Sequence, residues 1–136
     1  MRLIVLEGEF AIARLDAAAT VPVWSSHGSL SSVTRTLEEL SVVCAASAVP
    51  AGVRAERGWR CFRVAGRLDF SLTGVLASIA GPLAAANVSV FAISTYDTDY
   101  VLVRDQDLAT AIDCLIAAGH EVDRHAYHPR EGDTRR

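Results

Sequence analysis

No lysine occurs in the 136-residue sequence. All thirteen basic side chains are arginine, against sixteen acidic ones, for a net charge of −3. The arginines are scattered and form no run interleaved with aromatics, which disfavours a nucleic-acid partner. Charged residues make up only 21% and hydrophobic residues 51%, a balance that excludes intrinsic disorder. Cysteine is scarce and odd in number: Cys44, Cys61 and Cys114 lie far apart, each in an apolar stretch, with no Cys-x-x-Cys. They read as buried, reduced thiols of a cytoplasmic protein. A Gly-rich phosphate cradle and a His-Glu-x-x-His motif are both missing. Nucleophilic chemistry needs a base beside the Ser or Cys, and the histidines sit in loop or tail, so no enzyme is expected. His120, His125 and His128 lack the spacing of a two-histidine helical site, so no metal and no cofactor is expected. They are assigned to a solvated C-terminal stretch, with 125–136 expected to be a disordered tail.

Long apolar runs are nearly absent. Leu3-Ile4-Val5-Leu6 is interrupted by Glu7 and Glu9, so no signal-peptide core develops. Phe70 to Tyr96 carries no charge over 27 residues, long enough for a membrane span. Its pattern argues against one. Leu72, Val75, Leu76, Ile79, Leu83 and Ala86 recur at helical spacing. The β-formers Val88 to Ser94 then follow Asn87. Helix, turn and strand is the better parse, and no membrane partner is expected.

What is present is a faint duplication. Arg35-Thr36-Leu37-Glu38-Glu39-Leu40-Ser41-Val42-Val43 aligns with Ser94-Thr95-Tyr96-Asp97-Thr98-Asp99-Tyr100-Val101-Leu102 at an offset of 59. Ile4 to Gly8 parallels Phe62 to Gly66 at an offset of 58. Two matches in one order suggest a repeated unit, too few for a solenoid. The second copy parses as strand Trp59–Ala65, helix Thr73–Ala86 interrupted by Pro82, strand Val88–Thr95, strand Asp99–Arg104, helix Leu108–Ala118 with Gly119 as its cap, and a short strand at Glu121. Leu108, Ile112, Leu115 and Ile116 form the inner face of that second helix. The order β-α-β-β-α-β is the ferredoxin-like split βαβ, an α+β fold. The first copy is degenerate: strand and loop replace its first helix, and only Pro50 to Arg57 is left for the second, one or two turns at most. Thr36-Leu37-Glu38-Glu39 could start a helix as a capping box, but the alignment favours a hairpin. Residues 1–58 and 59–124 are the expected units.

Gly66-Arg67-Leu68-Asp69-Phe70-Ser71-Leu72-Thr73-Gly74-Val75-Leu76, followed by Val90-Phe91-Ala92-Ile93-Ser94-Thr95-Tyr96-Asp97-Thr98-Asp99-Tyr100, resembles the ACT-domain family. The likeness is to its small bacterial tandem members related to the CASTOR arginine sensors and to aspartate kinase regulatory domains. Thr34 to Cys44 and Gly58-Trp59-Arg60 share it. The resemblance implies two ACT units in tandem, a regulatory role, a homodimer, and an amino acid held between units. The ligand then contacts Leu68, Asp69, Phe70, Ser71, Leu72, Thr73 and Gly74, together with Ile93, Ser94, Thr95, Tyr96 and Asp99. Because Leu40 stands where Asp99 stands, the second unit is expected to hold the ligand and the first to act as scaffold or dimer contact. No kinase, reductase or DNA-binding segment is attached, so a regulated protein partner is expected.

A free amino acid offers a carboxylate that suits the N–H groups of a helix start, and an ammonium that suits a carboxylate. Ser71-Leu72-Thr73-Gly74 fits the first role, Gly74 allowing close approach. Asp99, or secondly Asp69, fits the second, and Tyr96 or Phe70 can cover the apolar stem. Each residue has a plainer reading. Asp97 and Asp99 suit a turn, Ser71 and Thr73 are ordinary N-caps, and Gly74 can serve close helix–sheet packing. Phe70, Phe91, Trp24 and Trp59 suit a core or interface. Two other functions remain open: a ligand-free dimerisation module, and an acylphosphatase-like enzyme for which Arg67 is the only hint.

Overall fold

The computed structural model describes residues 1–68 and 73–125, which fall into two compact units: Glu7–Trp59, and Met1–Leu6 together with the chain from Arg60 onward. The second contains the ferredoxin-like element order. Strand β5 (Ala55–Val64) supplies its C-terminal half, followed by α1 (Val75–Ala85), β6 (Val90–Ser94), β7 (Asp99–Arg104), α2 (Leu108–Ala117) and β8 (Glu121–Asp123). Its sheet runs β6-β7-β5-β1-β8, where β1 is Arg2–Val5.

The N-terminal strand is the main departure from the sequence parse, which groups residues 1–58. β1 pairs antiparallel with β5, Leu3 opposite Val64, and parallel with β8, Leu3 opposite Val122. It therefore fills the place between β5 and β8. The alternation of Arg2-Leu3-Ile4-Val5 explains why: Leu3 and Val5 are at most 2% exposed and join the core of this unit. That core packs Phe62, Val64, Val101 and Val103 of the sheet against Ile79 and Leu83 of α1 and Leu108, Ile112 and Leu115 of α2. Ile116, expected on the inner face, is 43% exposed instead.

Helix α1 keeps Pro82 inside it without breaking. Proline has no N–H, so the carbonyl of Ser78, four residues earlier, loses its helical donor. The Nε2 of His120 takes that place at 2.9 Å. His120 is thus a buried structural residue, not part of a solvated tail. It is positioned by the close of α2, where Gly119 (φ 96°) lets His120 N–H reach Leu115 O at 3.0 Å.

The Glu7–Trp59 unit has the strand order β3-β4-β2-β5, with β2 at Phe10–Leu15, β3 at Ser32–Arg35 and β4 at Leu40–Ala45. No helix forms at Pro50 to Arg57. The segment turns and enters β5 at Ala55, while the Arg57 guanidinium donates to the carbonyls of Ala46, Val49 and Pro50 at 3.0–3.2 Å. The capping-box residues form a hairpin turn. Thr36 Oγ1 accepts from Glu38 and Glu39 N–H, both at 3.1 Å, and Thr36 N–H donates to Glu39 O at 2.9 Å. The turn at Thr95 repeats this. Thr95 N–H donates to Thr98 O at 2.9 Å, and Thr98 N–H lies 3.4 Å from Thr95 Oγ1. Register agrees as well: Arg35 pairs Leu40 in one hairpin and Ser94 pairs Asp99 in the other.

Candidate functional site

β5 and β7 are paired strands, and the end of β5 and the residues just beyond it also reach the tip of the β6–β7 hairpin through contacts that sequence alone does not disclose. Thr98, 4% exposed, donates its hydroxyl to Val64 O at 2.8 Å, tying the hairpin tip to the end of β5. Leu68 N–H donates to Asp97 O at 2.6 Å, drawing the chain beyond β5 onto the same tip. Arg67 lies 5.4 Å above the Tyr96 ring and 3.2 Å from the Asp97 carboxylate. That last pair is 71% and 65% exposed, so it contributes about 0–1 kcal/mol and serves to position rather than to stabilise. The Thr98 bond is different. Leaving the buried Val64 carbonyl without a donor costs about 1–3 kcal/mol.

Asp99 opens β7 on the face of the sheet that the helices cover. Side chains alternate along a strand, and Val101 and Val103, two and four residues on, pack in the helix core. Ser94, its register partner, shares that face. Ile93 pairs with Tyr100 and points the other way, so it is separated from Ser94 and Asp99. The Asp99 carboxylate is half-buried and has no hydrogen bond or ion pair among the described residues. Thr95 and Tyr96 are exposed, Tyr96 at 68%.

Helix α1 begins at Val75 rather than Thr73, with Gly74 as its N-cap at φ 78°, ψ 0° and no side-chain cap. Only glycine adopts this left-handed conformation without strain. Close packing is not its reason, since a Cβ at Gly74 would meet no heavy atom within 4 Å. Thr73 is exposed and does not cap. Of the predicted residues, Asp69, Phe70, Ser71 and Leu72 lie outside the described residues, as does His128. Those brought to one end of the unit are Leu68, Ser94, Thr95, Tyr96 and Asp99. Arg67 and Thr98 are additions that the sequence reading does not assign to the site. The only sequence signal for Thr98 is its place three residues after Thr95, the spacing of Thr36 and Glu39.

The thiols of Cys44 and Cys61 are buried, which favours their protonated form. Burial pushes Cys61 up to about 12 and also raises Cys44, whose shift the nearby Arg57 partly offsets. Among the described residues no group of three or more His, Cys, Asp or Glu side chains is placed to hold a metal ion, and no helix is long and apolar enough to cross a membrane.

Residues 54–117 match the ACT domain family, which takes in most of β5, the hairpin and both helices. Residues 8–52 match a separate family described as an N-terminal domain. The chain belongs to the ACT-domain family. A relative from Rattus norvegicus, the cytosolic arginine sensor for mTORC1 subunit 1, is 45% identical over 58 residues, which are 42% of this chain. The chain spans 18% of the length of that relative. Among solved structures, a protein of Agobacterium tumefaciens (Atu0741) is 39% identical with a TM-score of 0.86, covering 94% of this chain and 97% of that one. The aspartate kinase of Clostridium acetobutylicum shares the fold, with a TM-score of 0.60 at 12% identity over 82% of this chain and 33% of that one. The unit that holds α1 and α2 combines these helices with a mixed sheet, the α+β ferredoxin-like arrangement that agrees with the ACT-domain match.

Proposed function

We propose that this protein is a non-catalytic amino-acid-binding regulatory protein of the cytoplasm, with the ligand held between ACT units arranged in tandem. The observation that carries the reading is the hairpin tip locked to β5 through Thr98 and Leu68, beside a helix start that no side chain caps. In this reading the ligand carboxylate takes the free N–H groups at the start of α1, where the helix dipole favours a negative charge. Asp99, unpaired among the described residues, takes the ammonium. Tyr96, held on one face by Arg67, covers the stem, and Leu68, Thr73, Gly74, Ser94 and Thr95 shape the surround. Asp69, Phe70, Ser71 and Leu72 belong to the same proposal from sequence, as does Ile93 despite its facing the other way. A homodimer and a regulated protein partner complete it.

Thermal shift with each of the twenty amino acids tests this. A ligand at about one hundred times its dissociation constant adds roughly 2.7 kcal/mol. The melting point is expected to rise with at least one of them, and Asp99→Ala is expected to abolish the rise with the fold intact. No rise with any amino acid at millimolar concentration, or an unchanged rise in the variant, refutes the assignment. One observation favours a second reading, a ligand-free interaction module: among the described residues β6 pairs only with β7, leaving an open edge on which Val90 is 38% exposed. A stable monomer by light scattering counts against that module.

A further inference from the structure

The sheet of the Glu7–Trp59 unit turns one face to its own core through Ala11, Ala13, Leu40, Val42 and Cys44. The alternate residues face the other way. There, over Ile12, Arg14, Ser41 and Glu56, opens a cleft of about 400 Å³ rimmed by Glu39 and Arg54. That volume lies within the roughly 300–1,000 Å³ of small-molecule sites.

Charge gives the cleft a direction. β2 and β5 pair Ala13 with Ala55, and Arg14 N–H donates to Arg54 O at 3.0 Å. Arg14 and Arg54 are therefore cross-strand neighbours, one residue along from two core-facing alanines, and both side chains stand on the cleft side. Like charges directly opposite one another weaken a sheet. Two carboxylates, Glu39 and Glu56, line the same cleft, and Glu56 already has an interaction of its own. Arg14 uses one N–H group on Glu38 O at 3.1 Å, and the Arg54 guanidinium has no hydrogen bond or ion pair among the described residues. Two adjacent guanidinium forks suit one carboxylate, which they bind with charge-assisted hydrogen bonds. At the rim the half-buried Glu39 carboxylate also has no partner among the described residues, and Ile12 gives the floor an apolar patch.

We infer that this cleft binds a small zwitterion: a carboxylate between Arg14 and Arg54, an ammonium against Glu39, and a short stem over Ile12. The site lies wholly within residues 12–56 and is independent of the loop and hairpin of the ACT domain. It gives the N-terminal unit a ligand-binding role where the sequence suggests a scaffold or dimer contact.

The test is an amide-shift titration of the isotopically labelled full chain by NMR. The probes are each of the twenty amino acids, with acetate and methylammonium as half-ligands. At least one amino acid is expected to move the signals of Ile12, Arg14, Ser41 and Arg54 saturably. Arg54→Ala and Glu39→Gln, both surface changes, are each expected to raise the midpoint about tenfold or more. Acetate and methylammonium are expected to bind at least about tenfold more weakly than the amino acid. Equal binding of acetate, or a midpoint unmoved in Arg54→Ala, overturns the inference. Shifts confined to Gly74 and Ile93–Asp99 overturn it too and leave the ACT-site reading standing, whereas silence in both regions removes both.

Discussion

Replacing His120 with alanine probes a repair that holds the regulatory fold together. Pro82 deprives the Ser78 carbonyl of its helical donor, and His120 Nε2 supplies another at 2.9 Å. A net hydrogen bond contributes about 0.5–1.5 kcal/mol. Ser78 itself is exposed, so water can replace part of the bond in the variant and the lower half of that range applies. Loss of a ring only 9% exposed adds the packing cost of a small cavity. His120→Ala is therefore expected to cost about 2 kcal/mol, lowering Tm by roughly 3–4 °C per kcal/mol in a chain of this length. The diagnostic result comes from a double-mutant cycle with Pro82→Ala. Alanine restores an N–H aimed at Ser78 O, so the cost of removing His120 is expected to fall by about 0.5–1 kcal/mol in that background. Urea unfolding of the four proteins measures it. If the two changes add without coupling, the histidine is not answering the proline and the reasoning is wrong.

Two further outcomes follow from other buried groups. Thr98→Val keeps the shape but leaves Val64 O without its donor, and is expected to cost about 1–3 kcal/mol by urea unfolding at unchanged m-value; a neutral result means the tip is not anchored there. Cys61 links stability to alkaline pH. Its thiol titrates near 9.0 when unfolded and at about 12 when folded, so above pH 9 the unfolded chain holds fewer protons and stability falls as pH rises towards 12. The contribution is fully present below about pH 9, and Cys61→Ala, checked by unfolding across this range, is expected to lose that part of the slope.

The fold is readable because its periodic signals are strong and local. Leu108, Ile112 and Leu115 mark α2 at helical spacing, and Gly119 marks its end. The aligned segments at 35–43 and 94–102 mark two hairpins with one turn chemistry. Three features are not readable. β1 and β8 stand at opposite ends of the sequence, so no local window contains both. Arg2 nonetheless pairs with Glu121 and forms an ion pair with Asp123 at 3.0 Å. The role of His120 depends on a carbonyl 42 residues away in sequence. At the candidate site, periodicity says which residues share a face but not what they touch, so it points to Asp99 while passing over Arg67 and Thr98.

Asp99 and Leu40 give the sharpest comparison between the two halves. They occupy the same place after turns with the same hydrogen-bond pattern. Leu40 is fully buried, sealing the core of its unit. Asp99 places a carboxylate on the helix-covered face with no partner among the described residues. Desolvating such a group without compensation costs free energy, so a purely structural position would favour the apolar residue. Asp99→Leu, which copies the first hairpin into the second, is therefore expected to be neutral or stabilising by up to about 1 kcal/mol, at roughly 25 cal/mol per Å² of apolar surface gained. The same change is expected to abolish any amino-acid-induced rise in melting point. A loss of more than about 1 kcal/mol in the ligand-free protein means that Asp99 holds the hairpin together, and its assignment to a ligand ammonium loses its physical basis.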